Sequence, residues 1–329
     1  MPENLLASFS TIKQGETTFY VKNNYKDILL NLDIDSLRKE ALEKGSIRSG
    51  REPHAVIHIP ELADERIIIK HSRHGGLFGY IAGDMYCKRN RFMNELIATE
   101  TAIERGVNTA EVIAVIKHKI FGTFYRYDVL SKEIPDSLDL VEFLTNPLQR
   151  FVGAYCNTPL HPERKKIIET IAQTIRKMHD AGLYHTDLHL KNILIQSTSG
   201  DTPPSPLRGT QAVLGSGERG VCKFKAYIID MDKAKTMDLM STKLRMRNLS
   251  RLDRSVEKLK EIHPRPFLPP RGGGLGRGGH ESLMPSKTDK LRFFIAYINS
   301  SPQADEMKQY IKMRPRSHWF HRLLWRLPF

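Results

Sequence analysis

The sequence predicts an α+β protein in two lobes: a small, β-rich first lobe with one helix, and a larger, mainly helical second lobe. Three observations lead there. The chain has 329 residues, about two domains at roughly 150 residues each. Its first half sets short β-branched runs around one amphipathic helical stretch. Its second half is mostly helical in period, broken by a polar loop with short apolar strands on its far side. With 40% apolar residues the chain can build a real core.

In chain order, residues 1–44 are weakly patterned and read as an N-terminal extension. The first lobe is expected over 45–131. Ala55–Ile59 and Arg66–Lys70 are strand-like, with Pro60–Asp64 as their connection. Asp84 to Arg105 carries Phe92, Leu96, Thr99 and Ile103 at i, i+4, i+7 and i+11, and Gly106 follows. That predicts an amphipathic helix with a glycine stop. Val112–Ile116 and Phe124–Leu130 are again strands.

The second lobe is expected over 132–329. Glu163 to Ala181 places Ile167, Ile171, Ile175 and Met178 on one face, with Pro162 before it and Gly182 after. Ile193–Ile195 and Tyr227–Ile229 read as short strands, and helical patterns dominate from there on.

Two segments depart from this pattern. Ser197–Cys222 has five Gly, three Pro and four Ser in 26 residues. Pro264–Pro285 has six Gly and five Pro in 22. Such composition buries too little apolar surface to offset the entropy of ordering. Both read as flexible insertions, at 197–222 and 264–285. The blocks Pro206–Gly209 and Leu214–Gly217 resemble Pro270–Gly273 and Leu275–Gly278, as if one element occurred twice.

Composition narrows the function classes. No uninterrupted apolar stretch reaches spanning length, and the start lacks a basic region followed by an apolar run, so neither a spanning helix nor a secretory signal is expected. Cys87, Cys156 and Cys222 are isolated and form no C-x-x-C pair, which disfavours a zinc site or disulfide framework and suits a reducing compartment. Lys and Arg number 51 against 37 Asp and Glu, a net charge of +14. The excess concentrates late: Lys243–Arg265 holds eight basic and three acidic residues. The second half therefore either faces an anionic partner or merely stays soluble, and charge alone does not decide between these. Nucleic acid is not expected, because the Arg-Gly-Gly runs are short and poor in aromatics.

The chemistry centres on His185-Thr186-Asp187-Leu188-His189-Leu190-Lys191-Asn192, after a helix and before a strand. Asp187 and Asn192 are five apart. Further on, Tyr227-Ile228-Ile229-Asp230 ends an apolar strand on an acid. Moving a phosphoryl group from ATP requires a base, oxygen ligands for magnesium and a cation on the phosphates. H-x-D-x-x-x-x-N with a strand-terminal Asp supplies the first two: Asp187 as base, Asn192 and Asp230 as hard oxygen ligands. Asn192 and Asp230 are 38 apart; without the 26-residue insertion the separation is 12, a hairpin's length. Lys70, at the end of Ile67–Lys70, is the candidate cation, with Glu95 on the following helix as its partner. Gly50 and Arg51, before the first strand, are candidates to bring N–H groups and a guanidinium to phosphate, though a plain turn reads equally well. Arg73–Gly76 is either a phosphate contact or a link. The Val129–Pro135 backbone is the expected adenine contact.

These residues resemble the lipopolysaccharide core kinases, a branch of the protein-kinase-like fold. The similarity is greatest to 3-deoxy-D-manno-octulosonic acid (Kdo) kinases, then to heptose kinases. It rests on Arg73–Leu77, Asn94–Leu96, His179–His189, Asn192–Leu194, Ile229–Lys233 and Asn248–Ser255. The resemblance implies transfer of the ATP γ-phosphate to a sugar hydroxyl of a lipid-linked inner-core oligosaccharide. It implies a peripheral enzyme on the anionic cytoplasmic face of the Gram-negative inner membrane, with ATP and Mg2+ as cofactors. Asp187 matches the family's catalytic aspartate and Asp230 its metal-binding one. His189 stands where protein kinases commonly carry lysine, and the two insertions are outside the family pattern.

Two other classes compete with this reading. An atypical protein kinase needs an activation segment after Asp230, but basic helical sequence follows with no Ala-Pro-Glu stop. A non-catalytic kinase-like protein would not need the full set of Lys70, Glu95, Asp187, Asn192 and Asp230. At the C-terminus, Trp319, Phe320, Leu323, Leu324 and Leu327 share one helical face, and His318, Arg322 and Arg326 another. This patterning suits an anionic bilayer or, equally, packing onto the large lobe.

Overall fold

The computed structural model describes residues 7–48, 54–62, 65–72, 84–87, 91–145, 160–198, 223–263 and 284–299. The chain divides into two compact units: residues 1–135 with 230–236, and residues 136–229 with 237–329.

The first unit is built on an antiparallel sheet with eight strands among the described residues. β1 (Phe9–Gln14) and β2 (Thr17–Lys22) form a hairpin. Helices α1 (Lys26–Leu30) and α2 (Ile34–Glu43) follow. Then come β3 (Ile47–Arg48), β4 (His54–His58), β5 (Arg66–His71) and β6 (Tyr86–Cys87). Helix α3 (Arg91–Glu104) precedes the long pair β7 (Val112–Phe121) and β8 (Phe124–Lys132). The spatial order is β1-β2-β7-β8-β5-β4-β3, with β6 on β8.

Each face of the sheet has its own core. Val21, Ile57, Ile67, Ile69, Ile116 and Leu130 pack with Tyr25, Leu29, Ile34 and Ala41 of the α1–α2 region. Val115, Tyr125, Tyr127 and Val129 pack with Phe92 and Leu96 of α3. Strands β7 and β8 supply residues to both cores, Val115 and Val129 to one and Ile116 and Leu130 to the other, and each buried Ile or Val contributes about 1.5–3 kcal/mol.

Three differences from the sequence reading have physical causes. Residues 9–22, grouped with an N-terminal extension, are two strands of this sheet, β2 pairing with β7. Lys22 anchors them, its Nζ lying 2.8 Å from Glu111 Oε1 and 2.9 Å from Glu100 Oε1. The expected single helix is joined by α1 and α2, and α2 buries Ile34 and Ala41 on one face. Helix α3 begins at Arg91 and not Asp84, because Tyr86-Cys87 pair with Phe124 and Tyr125. Of the four predicted face positions on α3, Phe92, Leu96 and Thr99 are buried and Ile103 is exposed. Gly106, at φ +71, takes the left-handed position that ends the helix.

In the second unit, β9 (Ser137–Asp139) leads into α4 (Leu140–Thr145). The Asp139 carboxylate accepts from the N–H groups of Val141 and Glu142, as an N-cap does. α5 (Leu160–Asp180) buries Ile167, Ile171, Ile175 and Met178, the face expected from their spacing. Gly182 follows it at φ +68. β10 (Leu183–Tyr184), β11 (Ile193–Thr198) and β12 (Lys223–Ile228) come next, then α6 (Thr242–Ile262) and α7 (Lys287–Asn299). β11 pairs antiparallel with both β12 and β9. Arg176 and Arg245, both buried, share the Asp180 carboxylate and tie α5 to α6.

The β11–β12 ladder runs from Ile193↔Ile228 to Thr198↔Lys223. Strand β11 thus extends two residues, Ser197 and Thr198, into the segment read as insertion, and the ends of 199–222 start from paired neighbours. A two-residue turn can close such a ladder. Replacing 199–222 by Asn-Gly is expected to leave thermal melting within a few degrees of wild type. A drop beyond about 10 °C, several kcal/mol for a domain of this size, would show that the segment is integrated into the core.

Candidate functional site

The first unit holds Lys70, Glu95 and Asp230. Lys70 lies near the end of β5 opposite Val129. Glu95 is on α3, where Phe92 and Leu96 fix the helix to the sheet and leave Glu95 buried. Glu95 Oε1 lies 3.6 Å from Lys70 Nζ. Asp230 Oδ1 is in closer contact with the same ammonium. The expected Lys70–Glu95 pair is therefore present and extended by Asp230, a partner the sequence reading had assigned only to metal.

Asp230 has φ 64 and ψ 58, a left-handed conformation unusual for a residue with a side chain. Such backbone costs about 1–3 kcal/mol and persists only where its surroundings impose it. Here the following 3-10 turn, Met231–Lys233, buries Met231. Burial pushes the Glu95 carboxyl up to about 7, against the pull of Lys70. Burial works against the Lys70 ammonium too, but the carboxylates of Glu95, Asp230 and Asp232 outweigh it and hold Lys70 above the usual lysine range. The lysine therefore stays charged.

The second unit holds the loop His185–Asn192. Leu188, Leu190 and Ile193 are buried and anchor it. Its polar groups close on each other. The Asp187 N–H donates to His185 Nδ1 at 3.2 Å, and His185 Nε2 lies 3.0 Å from the Ile229 carbonyl. An N–H needs an acceptor and a carbonyl can only accept, so His185 is the neutral Nε2–H tautomer. Asn192 Nδ2 donates to the Asp187 carbonyl at 3.0 Å, and the Ile229 N–H donates to the Asn192 carbonyl at 3.0 Å. The five-residue spacing of Asp187 and Asn192 is thus a turn closed through the Asp187 backbone.

The residues suit magnesium by donor chemistry. Asp230 offers carboxylate oxygen. Asn192, its amide nitrogen committed to Asp187, offers Oδ1. Among the described residues no three His, Cys, Asp or Glu gather as a metal cage. Glu95 Oε2 is buried and accepts no hydrogen bond among the described residues. Gly50, Arg51 and Arg73–Gly76 lie outside the described residues, as do the C-terminal aromatic residues. The adenine-contact candidate, Val129–Pro135, is strand through Lys132.

Sequence reasoning missed what stands behind the loop. His179, Asn248 and Tyr297 are buried together, with His179 Nδ1 at 2.5 Å from Tyr297 Oη and Nε2 at 2.9 Å from Asn248 Oδ1. Asn248 Nδ2 donates to the His185 carbonyl at 2.6 Å. His179 and Asn248 lie in blocks that carried the family resemblance, but nothing local marks their pairing. Burial pulls His179 down to about 3, so it is neutral when folded. Unfolding frees it to protonate near 6.5. Its contribution is therefore complete above that pH and is lost on acidification, by ~1.4 kcal/mol per unit. Melting temperature is expected to fall between pH 7.5 and 5, and less steeply in His179→Gln. Equal slopes would overturn this account.

The lipopolysaccharide kinase (Kdo/WaaP) family matches residues 61–267, well over half of the chain. The chain belongs to this family. The match spans Lys70, Glu95, Asp187, Asn192, Asp230 and Asn248. Among curated relatives of the family, the "3-deoxy-D-manno-octulosonic acid kinase" of Vibrio cholerae serotype O1 is 31% identical over 58% of this chain and 65% of its own length. That of Vibrio parahaemolyticus serotype O3:K6 is 31% identical over 59% of this chain and 67% of its own length. The chain thus spans about two thirds of the relatives it matches. A solved structure described as "WaaP in complex with acyl carrier protein" is similar over 92% of this chain and 96% of its own, at 18% identity and a TM-score of 0.48.

Proposed function

We propose that this chain is an ATP-dependent kinase that phosphorylates a sugar hydroxyl, of Kdo or of heptose, in the inner core of lipopolysaccharide. The observation that carries the reading is the His185–Asn192 loop. Inside a stretch matched to this family, it presents an aspartate whose backbone is fixed at both N–H and carbonyl and whose carboxylate is not bonded among the described residues. Asp187 accepts the proton of the acceptor hydroxyl. Lys70, held charged and oriented by Glu95, neutralises nucleotide phosphates. Asn192 and Asp230 would hold magnesium. Bound together, ATP supplies the phosphoryl group and magnesium neutralises its developing charge. An atypical protein kinase is disfavoured: α6 begins at Thr242, twelve residues after Asp230, which leaves little chain for an activation segment.

The test is incubation of purified protein with Mg-ATP and core glycolipid, with mass spectrometry locating the added phosphate. One phosphate on Kdo or heptose supports the reading. Transfer to protein alone overturns it.

The acceptor chemistry also supports peripheral attachment at the cytoplasmic face of the inner membrane. Among the described residues no helix is long and apolar enough to cross a membrane. The basic, aromatic C-terminus is proposed to contribute to an anionic surface contact. Truncation at Arg316 is expected to reduce salt-sensitive co-sedimentation with anionic vesicles. Unchanged binding would remove the C-terminus from this role.

A further inference from the structure

We propose that Asn248 is a positioning residue for the Asp187 loop, and that His179 and Tyr297 set the direction in which its amide points. The inference rests on the reading of His185–Asn192 as the catalytic loop.

The hydrogen bonds form one directed chain. The His185 carbonyl can only accept, so the group 2.6 Å from it must be the Asn248 NH2. That turns Asn248 Oδ1 toward His179. An amide oxygen can only accept, so His179 Nε2, at 2.9 Å, must carry its proton. In a neutral imidazole Nδ1 is then an acceptor, and the Tyr297 hydroxyl at 2.5 Å must donate to it. The neutral state is secured by burial, which pulls His179 far below its usual range. A flipped Asn248 amide would set oxygen against oxygen at His185 and N–H against N–H at His179. The arrangement therefore has one satisfied orientation.

Its end point is the base. His185 both receives the Asn248 amide at its carbonyl and accepts the Asp187 N–H at Nδ1. Releasing the carbonyl would free the residue that fixes the Asp187 backbone, with no change at Lys70, Glu95 or Asp230. The chain also reaches outside the family match. His179 is on α5 and Asn248 on α6, both within residues 61–267, but Tyr297 is on α7, beyond them. The charged groups around the triad are Arg176, over the Tyr297 ring at 5.3 Å, Arg245, and Asp180, which pairs with both arginines. They surround the chain without replacing any of its links.

The experiment compares wild type with Asn248→Ala, His179→Gln and His179→Phe. A glutamine amide can still donate to Asn248 Oδ1; phenylalanine cannot. Asn248→Ala and His179→Phe are expected to lower kcat by ~10-fold or more, the lower end of what lost base alignment costs. Affinity for a non-hydrolysable Mg-ATP analogue is expected to stay within about three-fold, and His179→Gln to stay within about three-fold of wild type in both. Should Asn248→Ala fail to fold, the two His179 variants decide: equal kcat in them at matched melting temperature overturns the inference. Two readouts need no turnover. The 15N resonances of His179 in wild type should report the Nε2–H tautomer from pH 8 to 5, and hydrogen exchange over residues 183–192 should quicken in His179→Phe but not in His179→Gln. The opposite tautomer, or unchanged exchange, overturns the inference. Absence of phosphotransfer in wild type overturns the proposed function instead and leaves these two readouts standing.

Discussion

Asp187→Asn is expected to lower turnover by roughly 10² or more, the scale of lost general-base assistance, while Mg-ATP affinity stays within a few-fold. The structure gives this substitution an unusually clean background. Asp187 is held through its backbone: its N–H donates to His185 Nδ1 and its carbonyl accepts from Asn192 Nδ2. An asparagine side chain is isosteric and disturbs neither bond. Only the ability to take a proton from an acceptor hydroxyl is removed. Stability is therefore expected to hold, with melting within a few degrees of wild type. Titration with a non-hydrolysable ATP analogue separates the outcomes. If Asp187→Asn abolishes nucleotide binding, its assignment as the base is wrong.

Asp230→Ala is expected to weaken Mg-ATP binding by ~10-fold or more and to blunt its dependence on magnesium, with turnover falling too. Asp230 touches Lys70 and brings a carboxylate to a site where Lys70 is already committed to Glu95. Losing it removes the proposed metal ligand and changes the partner balance of the lysine. Alanine also pays for the left-handed backbone at φ 64, about 1 kcal/mol that asparagine largely avoids. Asp230→Asn is therefore the control: it keeps the backbone fit and loses the charge. Both variants should show the magnesium defect, and only Asp230→Ala the extra destabilisation. Unaltered magnesium dependence in both would remove Asp230 from the metal site.

The candidate site was partly legible in the sequence. His185–Asn192 is a local pattern, and its turn closes on itself through bonds within eight residues. Lys70 was read from the end of an apolar strand, and Glu95 from the following helix. The structure brings those two together because β5 pairs with β8, Lys70 opposite Val129, and Val129 packs in one core with Phe92 and Leu96 of α3. The Asp230 contact with Lys70 was not legible. It spans 160 residues and depends on a backbone conformation that no propensity favours at an aspartate. The Asn248–His185 bond spans 63 residues, and its two ends look like any buried polar groups.

The sequence by itself determined what short-range forces determine. Apolar period marked α5, short apolar and β-branched runs marked β5, β7 and β8, and glycines at 106 and 182 marked helix ends. Tertiary structure decided the rest. It placed residues 9–22 in the sheet, because Lys22 finds Glu100 and Glu111 about 80 to 90 residues away. It chose Asp230 as a partner of Lys70. It aligned His179, Asn248 and Tyr297 behind the base. In each case the stabilisation comes from burial and charge between groups distant in sequence, and a local window along the chain carries no record of which distant group will arrive.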